Sequence, residues 1–480
     1  MEVERRAEER LTGKPELLLV TAVTAVGAAF RFWHLGGQSF WYDEVATARI
    51  VRSSFGGMVH GIWRTESTPP LYYVLGWIWV RTAGHSETAI RSLSAAAGTA
   101  AIAVTYLAGR RLVSRSAGLL AASFVALSPF LIWYSQEARA YSLFVLLGAV
   151  SLWAFAGAWT GPTRGDLALW AGISILLLWT EYFALFFVLP EAVALLARRE
   201  ARRTVVPAVA SVVAGAVLVT PLLYHQSGNG LNTWIAETPW RTRAFDAAQW
   251  WVAGAGAVSH IWLVVSGLVV VTATLLAAKS GPPERRGALI ALGVGLAVVV
   301  GPLLAAALGE DFWLYRNLIV AWMPLVLVLS AALTGRAGGR ILVVVAAAIA
   351  VVLVAAEGVL AVRLVRWQVP IRDNWRGFAR CLGASPASRL LVIAPSHNGS
   401  ALMYYRPEVR PAGATRTVTV REIVVVGSPA PPSLRVAAGF RTADFACDSG
   451  IPVRVYRSPQ ARTIRPALVG PRDALFLERR

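Results

Sequence analysis

Residues 341–362 read "ILVVVAAAIAVVLVAAEGVLAV", an apolar stretch broken by one charge, Glu357. A helix needs about 20 mostly apolar residues to cross the hydrocarbon layer of a bilayer, and a run of that length marks a transmembrane helix. "LLLVTAVTAVGAAF" (17–30) repeats the signal. Across 480 residues 56% are hydrophobic and only 15% are charged, with a mean hydropathy of +0.56; soluble chains keep about a quarter of their residues charged. The chain is therefore expected to be a polytopic α-helical membrane protein.

A formal net charge of +19 invites comparison with nucleic-acid binders, but those gather their cations into one patch or stripe. Here the arginines stand in small groups between apolar runs: "GRRLVSR" (109–115), "ARREARR" (197–203) and "PERRG" (283–287). That is how cytoplasmic loops look under the positive-inside rule, and nucleic acid is not an expected partner. Spans are expected near 16–34, 92–108, 116–134, 141–160, 167–184, 184–197, 204–222, 256–278, 287–308, 317–334 and 341–362, about eleven transmembrane helices. With the N-terminus inside, the short inner segments hold about 17 Lys and Arg, against about ten in the longer outer loops. Residues 1–15 then form a cytoplasmic tail. No small-residue cleavage site follows the first apolar run, so it is read as a retained span and not as a signal peptide.

This parity requires that "PPLYYVLGWIWV" (69–80) does not cross. With about 12 residues before Arg81 it is short for a span. It reads as an interfacial helix on the outer face, started by Pro69–Pro70, with Trp77, Trp79 and two tyrosines at headgroup level; a short true span remains the other reading. The consequence is a transmembrane domain over 16–362 with a long first outer loop, 35–91, carrying interfacial helices. After 362 the composition changes. "WRGFARCL" (375–382) reads as a helix, and "RLLVIAPS" (389–396) and "TVTVREIVVVG" (417–427) as strands, giving a small extracytoplasmic α/β domain over 363–480. Its two cysteines, Cys381 and Cys447, fit one disulfide or two separate thiols equally. The expected location is the plasma (inner) membrane, with multiple passes.

Polar groups concentrate on the outer side. "QSFWYDEVATARI" (38–50) sets Asp43–Glu44 behind Phe40, Trp41 and Tyr42. Partial desolvation by aromatic rings makes a carboxylate a stronger base. Neighbouring side chains point apart, so one carboxylate can face a site while the other pairs with Arg49. A helix N-cap at Asp43 with Glu44 in the first turn fits equally. Glu137 and Arg139 share a tight outer loop, where a pinned guanidinium suits a phosphate; a Glu137–Arg139 pair that merely holds the loop fits as well. Arg316 starts a span on the same side. The six histidines show no ligand spacing. A divalent cation held between carboxylates and a phosphate fits the residue types, although no dedicated cage is visible. No phosphate loop, dinucleotide fingerprint or nucleophile elbow is present.

Taken together, "FWYDE" (40–44), "STPPLYYVLG" (67–76), "SETAIRSLSA" (86–95), "GRRL" (109–112), "SPFLIWYSQEARAYSL" (128–143) and "YRNLIVAWMP" (315–324) resemble the GT-C superfamily of membrane glycosyltransferases. The likeness is to the protein mannosyltransferase/aminoarabinose transferase type and runs through about residues 16–330. It implies the GT-C fold and an inverting transfer of a sugar from a polyprenyl-phosphate carrier to a hydroxyl of a cell-envelope acceptor, whether glycan, lipid or protein. Asp43 would be the catalytic base and Glu44 its neighbour at the site. Arg139, Arg316 and Glu137 would serve the donor phosphate, and Tyr42, Tyr72, Tyr134 and Glu181 would line the donor and acceptor pocket. Three positions depart from the family pattern: Thr68 stands where relatives commonly carry His or Lys, Asn317 where Tyr often follows the arginine, and Glu181 in a segment that often holds His. A transporter or flippase, or a protein that only binds polyprenyl phosphate, are the other classes considered. Transporters place charge near the midplane, whereas here the mid-span stretches are nearly free of charge, with Glu191 and Glu357 the visible exceptions.

Overall fold

The computed structural model describes residues 2–254, 282–335, 340–366, 373–383, 389–412, 417–427, 430–431, 439–445, 447–466 and 475–479. The chain divides into two units: unit 1 is Met1–Leu35 with Ile50–Trp367, and unit 2 is Gly36–Arg49 with Gln368–Arg480. The first stretch of unit 2 is cut from the segment that the sequence places in the first outer loop.

Unit 1 is helical. Its elements are α1 (Glu2–Phe32), then α2 (Tyr42–Arg52), whose first residues belong to unit 2, α3 (Phe55–Thr65), α4 (Leu71–Ala83), α5 (Glu87–Leu112), α6 (Arg115–Leu127), α7 (Pro129–Ser135), α8 (Tyr141–Thr160) and α9 (Arg164–Leu178). They continue as α10 (Leu185–Ala197), α11 (Arg202–Ser227), α12 (Thr233–Glu237), α13 (Trp240–Ala253), α14 (Pro282–Ala307), α15 (Trp322–Thr334) and α16 (Arg340–Arg366). Among the described residues six helices are long and apolar enough to cross a membrane: Lys14–Phe32, Glu87–Leu112, Tyr141–Thr160, Arg199–Ser227, Glu284–Ala307 and Arg340–Arg366. The segment expected as one span at 116–134 is instead the pair α6 and α7, bent by 59°. The segments expected at 167–184, 184–197 and 317–334 are α9, α10 and α15, of 15, 13 and 13 residues. The segment at 256–278 lies outside the described residues.

The bend has a local cause. Pro129 at the start of α7 has no N–H to continue the helix, and Ser128 caps the new one, its Oγ accepting from the Leu131 N–H at 3.4 Å. The carbonyls freed at the end of α6 still need donors. Arg31 of α1 supplies them: its buried guanidinium donates to Val125 O at 2.7 Å and Ala126 O at 3.0 Å, and also to Gly27 O of its own helix at 3.0 Å. An arginine among helices is thereby stabilised by α6 carbonyls that Pro129 leaves without helical donors. Close packing depends on small residues, as it does between helices in lipid; a Cβ on Gly109 of α5 would lie 2.7 Å from the Gly118 Cα of α6. The mid-helix carboxylate Glu191 is held in place, its Oε2 accepting from Ser151 Oγ at 2.7 Å and Trp170 Nε1 at 2.9 Å.

The helix expected near 69–80 is α4, beginning directly after Pro69–Pro70. Its tyrosines do not stand at a surface. Tyr72 and Tyr73 are fully buried because their hydroxyls have partners inside unit 1.

Unit 2 holds a six-stranded sheet built from β1 (Arg389–Ala394), β2 (Val409–Pro411), β3 (Val418–Gly427), β4 (Arg441–Ala443), β5 (Val453–Ile464) and β6 (Leu475–Arg479), in the order β2-β6-β1-β3-β5-β4. β1 and β3 run parallel, and the other pairings are antiparallel. The central strands are Val/Ile-rich, as strands covered on both faces must be: Leu390, Leu391, Val392 and Ile393 of β1 and Ile423 to Val426 of β3 are all buried. Two helices accompany the sheet, α17 (Trp375–Cys381) and α18 (Gly399–Tyr405). The helix read at 375–382 and the strands read at 389–396 and 417–427 are therefore present with shifted ends. Cys381 and Cys447 are bonded, with Cα atoms 5.5 Å apart, inside the range a disulfide spans.

Candidate active site

Arg139 leaves the tight turn between α7 and α8. Its Nη1 donates to Glu66 Oε1 at 3.2 Å, Glu66 Oε2 at 3.0 Å and the Tyr73 hydroxyl at 3.2 Å. Both charged side chains are nearly inaccessible, Arg139 being 7% and Glu66 2% exposed. The Tyr73 hydroxyl also lies 2.9 Å from Thr68 Oγ1. Ser94 of α5 donates to the Arg139 carbonyl at 3.1 Å and meets the Tyr72 hydroxyl at 2.8 Å. The loop that leads into α4 is held from α11, where Gln226 Nε2 donates to the carbonyls of Ile62 and Thr68 at 2.9 and 3.2 Å. Thr68, which stands where relatives commonly carry His or Lys, is thus part of the network that fixes Arg139.

Glu137 Oε1 accepts from Trp133 Nε1 at 2.9 Å, one helical turn back in α7, whereas the direction of the Arg139 side chain is set by Glu66. Glu181 lies in the break after α9, and the charges that act on it are Arg139, Arg316 and Glu66. Tyr134 is buried edge-on to Tyr141, with ring centroids 4.7 Å apart, and Arg316, Glu137 and Tyr315 act on it in turn. Unit 1 therefore brings Arg139, Glu137, Tyr72, Tyr134, Glu181 and Arg316 into one neighbourhood, together with Glu66, Thr68 and Tyr73.

Arg316 comes from the loop after α14. Its guanidinium lies 5.5 Å from the Trp234 ring centroid. The loop is tied down by a fork in which Arg243 of α13 donates to both Asp311 oxygens, each at 2.7 Å, and to Trp313 O at 3.0 Å. These bonds hold the Asp311 carboxyl below its usual range. Asn317, found where relatives often have Tyr, donates to Phe312 O at 2.9 Å and closes the same loop. Next to it the Tyr315 ring stacks on Trp250 at 5.0 Å, nearly parallel at 8°.

Tyr42, Asp43 and Glu44 belong to unit 2. α2 begins at Tyr42, so both carboxylates lie in its first turn, where the helix dipole favours negative charge. Neither is the N-cap. Glu44 is buried and Asp43 half-buried. Arg49, expected to pair with one of them, donates to the Ser400 carbonyl at 3.2 Å. The Tyr42 ring meets His397 edge-on at 5.3 Å.

Sequence reasoning gives no site role to three groups. Glu66 stands directly before the "STPP" block, and a buried arginine requires an acid, but nothing local says which one. Tyr73 reads from the sequence as an interfacial anchor, and the structure buries it. His397 lies far down the chain, in the sheet domain. Among the described residues no three His, Cys, Asp or Glu side chains gather as a metal site.

Residues 67–225 match the family model for dolichyl-phosphate-mannose-protein mannosyltransferases. ArnT from Cupriavidus metallidurans, solved bound to undecaprenyl phosphate, superposes over 95% of this chain and 99% of its own, at 15% identity and a TM-score of 0.55. The chain has the GT-C membrane glycosyltransferase fold. AglB from Archaeoglobus fulgidus, an oligosaccharyltransferase solved with an inhibitory peptide and a dolichol-phosphate, matches over 77% of this chain at 12% identity and a TM-score of 0.50. This chain spans 58% of the length of that archaeal enzyme. No curated protein matches by sequence. Within the GT-C fold, the family-matched segment contains Tyr72, Tyr134, Glu137, Arg139 and Glu181. Tyr42, Asp43, Glu44 and Arg316 lie outside it.

Proposed function

We propose that the protein is an inverting glycosyltransferase that moves a sugar from a polyprenyl-phosphate-linked donor to a hydroxyl of a cell-envelope acceptor, at the outer face of the plasma membrane. The observation that carries this reading is the buried guanidinium of Arg139, a residue of the segment that matches the mannosyltransferase family, oriented by Tyr73 of that segment and by Glu66 just before it. The relative ArnT, solved with undecaprenyl phosphate, supports the class of donor.

Asp43 takes the proton of the acceptor hydroxyl as its oxygen attacks the anomeric carbon. The bond from that carbon to the phosphate oxygen breaks, and polyprenyl phosphate leaves with the electron pair. Its charge is already delocalised over the phosphate oxygens, so the protein's task is to stabilise an anion that gains charge in the transition state. Arg139 does so with a fixed geometry. Because Glu66 cancels its formal charge, the phosphate also relies on Arg316. The donor enters from the bilayer, the N-terminus lies in the cytoplasm and the sheet domain is extracytoplasmic, on the side of the chemistry.

The test uses the purified full-length protein in lipid nanodiscs with synthetic polyprenyl-phosphate sugars, hexose and pentose, read as release of polyprenyl phosphate. Wild type is expected to turn over and Asp43→Asn to be inactive while still binding the carrier. Full turnover by Asp43→Asn would remove Asp43 as the base, and no turnover by wild type with any donor would remove the transferase reading.

A further inference from the structure

Two helices of unit 1 end beside the candidate site and begin far from it. α9 runs from Arg164 to the break that holds Glu181, and α11 runs from Arg202 past Gln226, whose amide holds the loop before α4. At 1.5 Å per residue the stretch of helix between Arg203 and Gln226 covers about 35 Å, so the starts of the two helices are remote from the chemistry.

Near those starts α9 and α11 part to form a groove with a cavity volume of about 630 Å³, within the range of small-ligand sites. Leu167, Ala171, Gly172 and Ile175 of α9 face Pro207 and Ala208 of α11 across it. Small side chains open it: a Cβ on Gly172 would meet nothing within 4 Å. Toward the candidate site the groove is shut, because there the helices touch. A Cβ on Gly215 of α11 would lie 2.7 Å from Ile175 Cγ1, and Trp179 Nε1 donates to the Gly215 carbonyl at 2.9 Å. Ser211 Oγ, also on the wall, donates to the Pro207 carbonyl of its own helix at 3.0 Å, which leaves the deep part of the groove apolar.

The mouth is cationic. Arg164 and Arg203 line it from the first turn of each helix, and both are exposed. The N–H groups of two helix starts add to that field. Asp166, close by on α9, is already engaged: its Oδ2 accepts from Thr163 Oγ1 at 2.6 Å, and its Oδ1 lies 3.6 Å from Arg111. In residues 198–203 four arginines stand against one acid, Glu200. Beside the groove, Leu169 and Leu176 of α9 and Val206 and Val213 of α11 are exposed, as on a face that meets hydrocarbon.

We propose that this groove binds one anionic phospholipid, its phosphate held by Arg164 and Arg203 and one acyl chain laid between α9 and α11. Charge complementarity selects the headgroup, and depth selects the lipid. From Arg164 to Ile175 the groove runs about 16 Å, close to one leaflet of a hydrocarbon core about 30 Å thick, and its end is closed. A polyprenyl chain is far longer than one leaflet and does not fit within it. Basic pockets between membrane helices recognise anionic headgroups in this way. On the orientation proposed above, the mouth meets the cytoplasmic leaflet, whose surface potential is negative. The lipid assignment itself needs neither that orientation nor the transferase reading.

The test is native mass spectrometry of the full-length protein in detergent, titrated separately with phosphatidylglycerol, phosphatidylethanolamine and polyprenyl phosphate. Wild type is expected to retain phosphatidylglycerol in preference to phosphatidylethanolamine. Arg164→Gln combined with Arg203→Gln is expected to weaken phosphatidylglycerol binding about thirtyfold, about fivefold for each cation, and to leave phosphatidylethanolamine unchanged. Gly172→Leu keeps both arginines but fills the groove, and it is expected to lose the phosphatidylglycerol adduct as well. Phosphatidylglycerol with a diazirine on its acyl chain is expected to label residues 164–175 and 203–211 of wild type, and not of Gly172→Leu. Equal retention of the two phospholipids by wild type, unchanged affinity in either variant, or labelling confined to other segments would overturn the proposal. So would polyprenyl phosphate that displaces the label from these segments, since the groove would then be a carrier site.

Discussion

Arg139 Nη1 donates to both carboxylate oxygens of Glu66, 73 residues away in the chain. The bond joins the turn after α7 to the loop before α4, so the two most family-like blocks of the sequence, "YSQEARAYS" and "PPLYY", are set in register by one buried ion pair. Removing one partner from such a pair leaves an unpaired charge and costs about 3–5 kcal/mol. Glu66→Ala is therefore expected to lower the unfolding free energy by that order, read as a lower Tm in detergent. Adding Arg139→Met to it should recover part of the loss. An unchanged Tm for Glu66→Ala would show that the pair does not hold these loops.

Arg139→Ala and Arg316→Ala separate the two cations in donor binding. A charge-assisted hydrogen bond is worth about 1.5–3 kcal/mol, so each substitution is expected to weaken polyprenyl phosphate binding about tenfold to a hundredfold, measured by carrier retention in nanodiscs. Unaltered affinity in Arg139→Ala would make that arginine a structural tie to Glu66.

The Arg243–Asp311 fork predicts a response to acid. Its hydrogen bonds lower the Asp311 pKa in the folded state, so the stabilisation is present above the ordinary aspartate value of about 3.9 and is lost as pH falls through the lower folded value. The loop bearing Tyr315 and Arg316 is expected to become susceptible to proteolysis on acidification. Arg243→Ala should bring the same susceptibility at neutral pH. A loop equally protected in wild type and Arg243→Ala at pH 7 would show that the fork does not anchor it.

The Cys381–Cys447 bond closes a loop with a sequence separation of 66 residues. In the chain-entropy account a bond of this kind contributes about 2–4 kcal/mol. Cys381→Ser and Cys447→Ser are each expected to lower the unfolding midpoint of the sheet domain, and a reductant should reproduce the effect on wild type without altering either variant. Insensitivity of wild type to reductant would count against the bond.

The long apolar runs made the helices of unit 1 legible, because apolar length is a local property of the chain. Val/Ile-rich strands bounded by Pro and Gly marked the sheet domain for the same reason. The break in 116–134 was written in Ser128–Pro129 but outweighed by the apolar run around it. The long-range pairings were not legible: an arginine in a tight loop announces that it needs an anion, yet the chain holds many carboxylates, and the choice of Glu66 is made only by packing. His397 is harder still, since nothing in "APSHNGS" distinguishes it from a loop histidine.

The composition of unit 2 also has a consequence for biosynthesis. Its first segment, 36–49, is made before helices α3 to α16, and its sheet, within 368–480, is made after them. Chains are synthesised from the N-terminus and domains fold as their residues become available. During elongation, Asp43 and Glu44 exist without Tyr405, Ser400 or Asp373 to hold the stretch around them. A nascent chain stopped anywhere before the sheet would lack these bonds around its carboxylates, so the state of that stretch reports whether the sheet has been made.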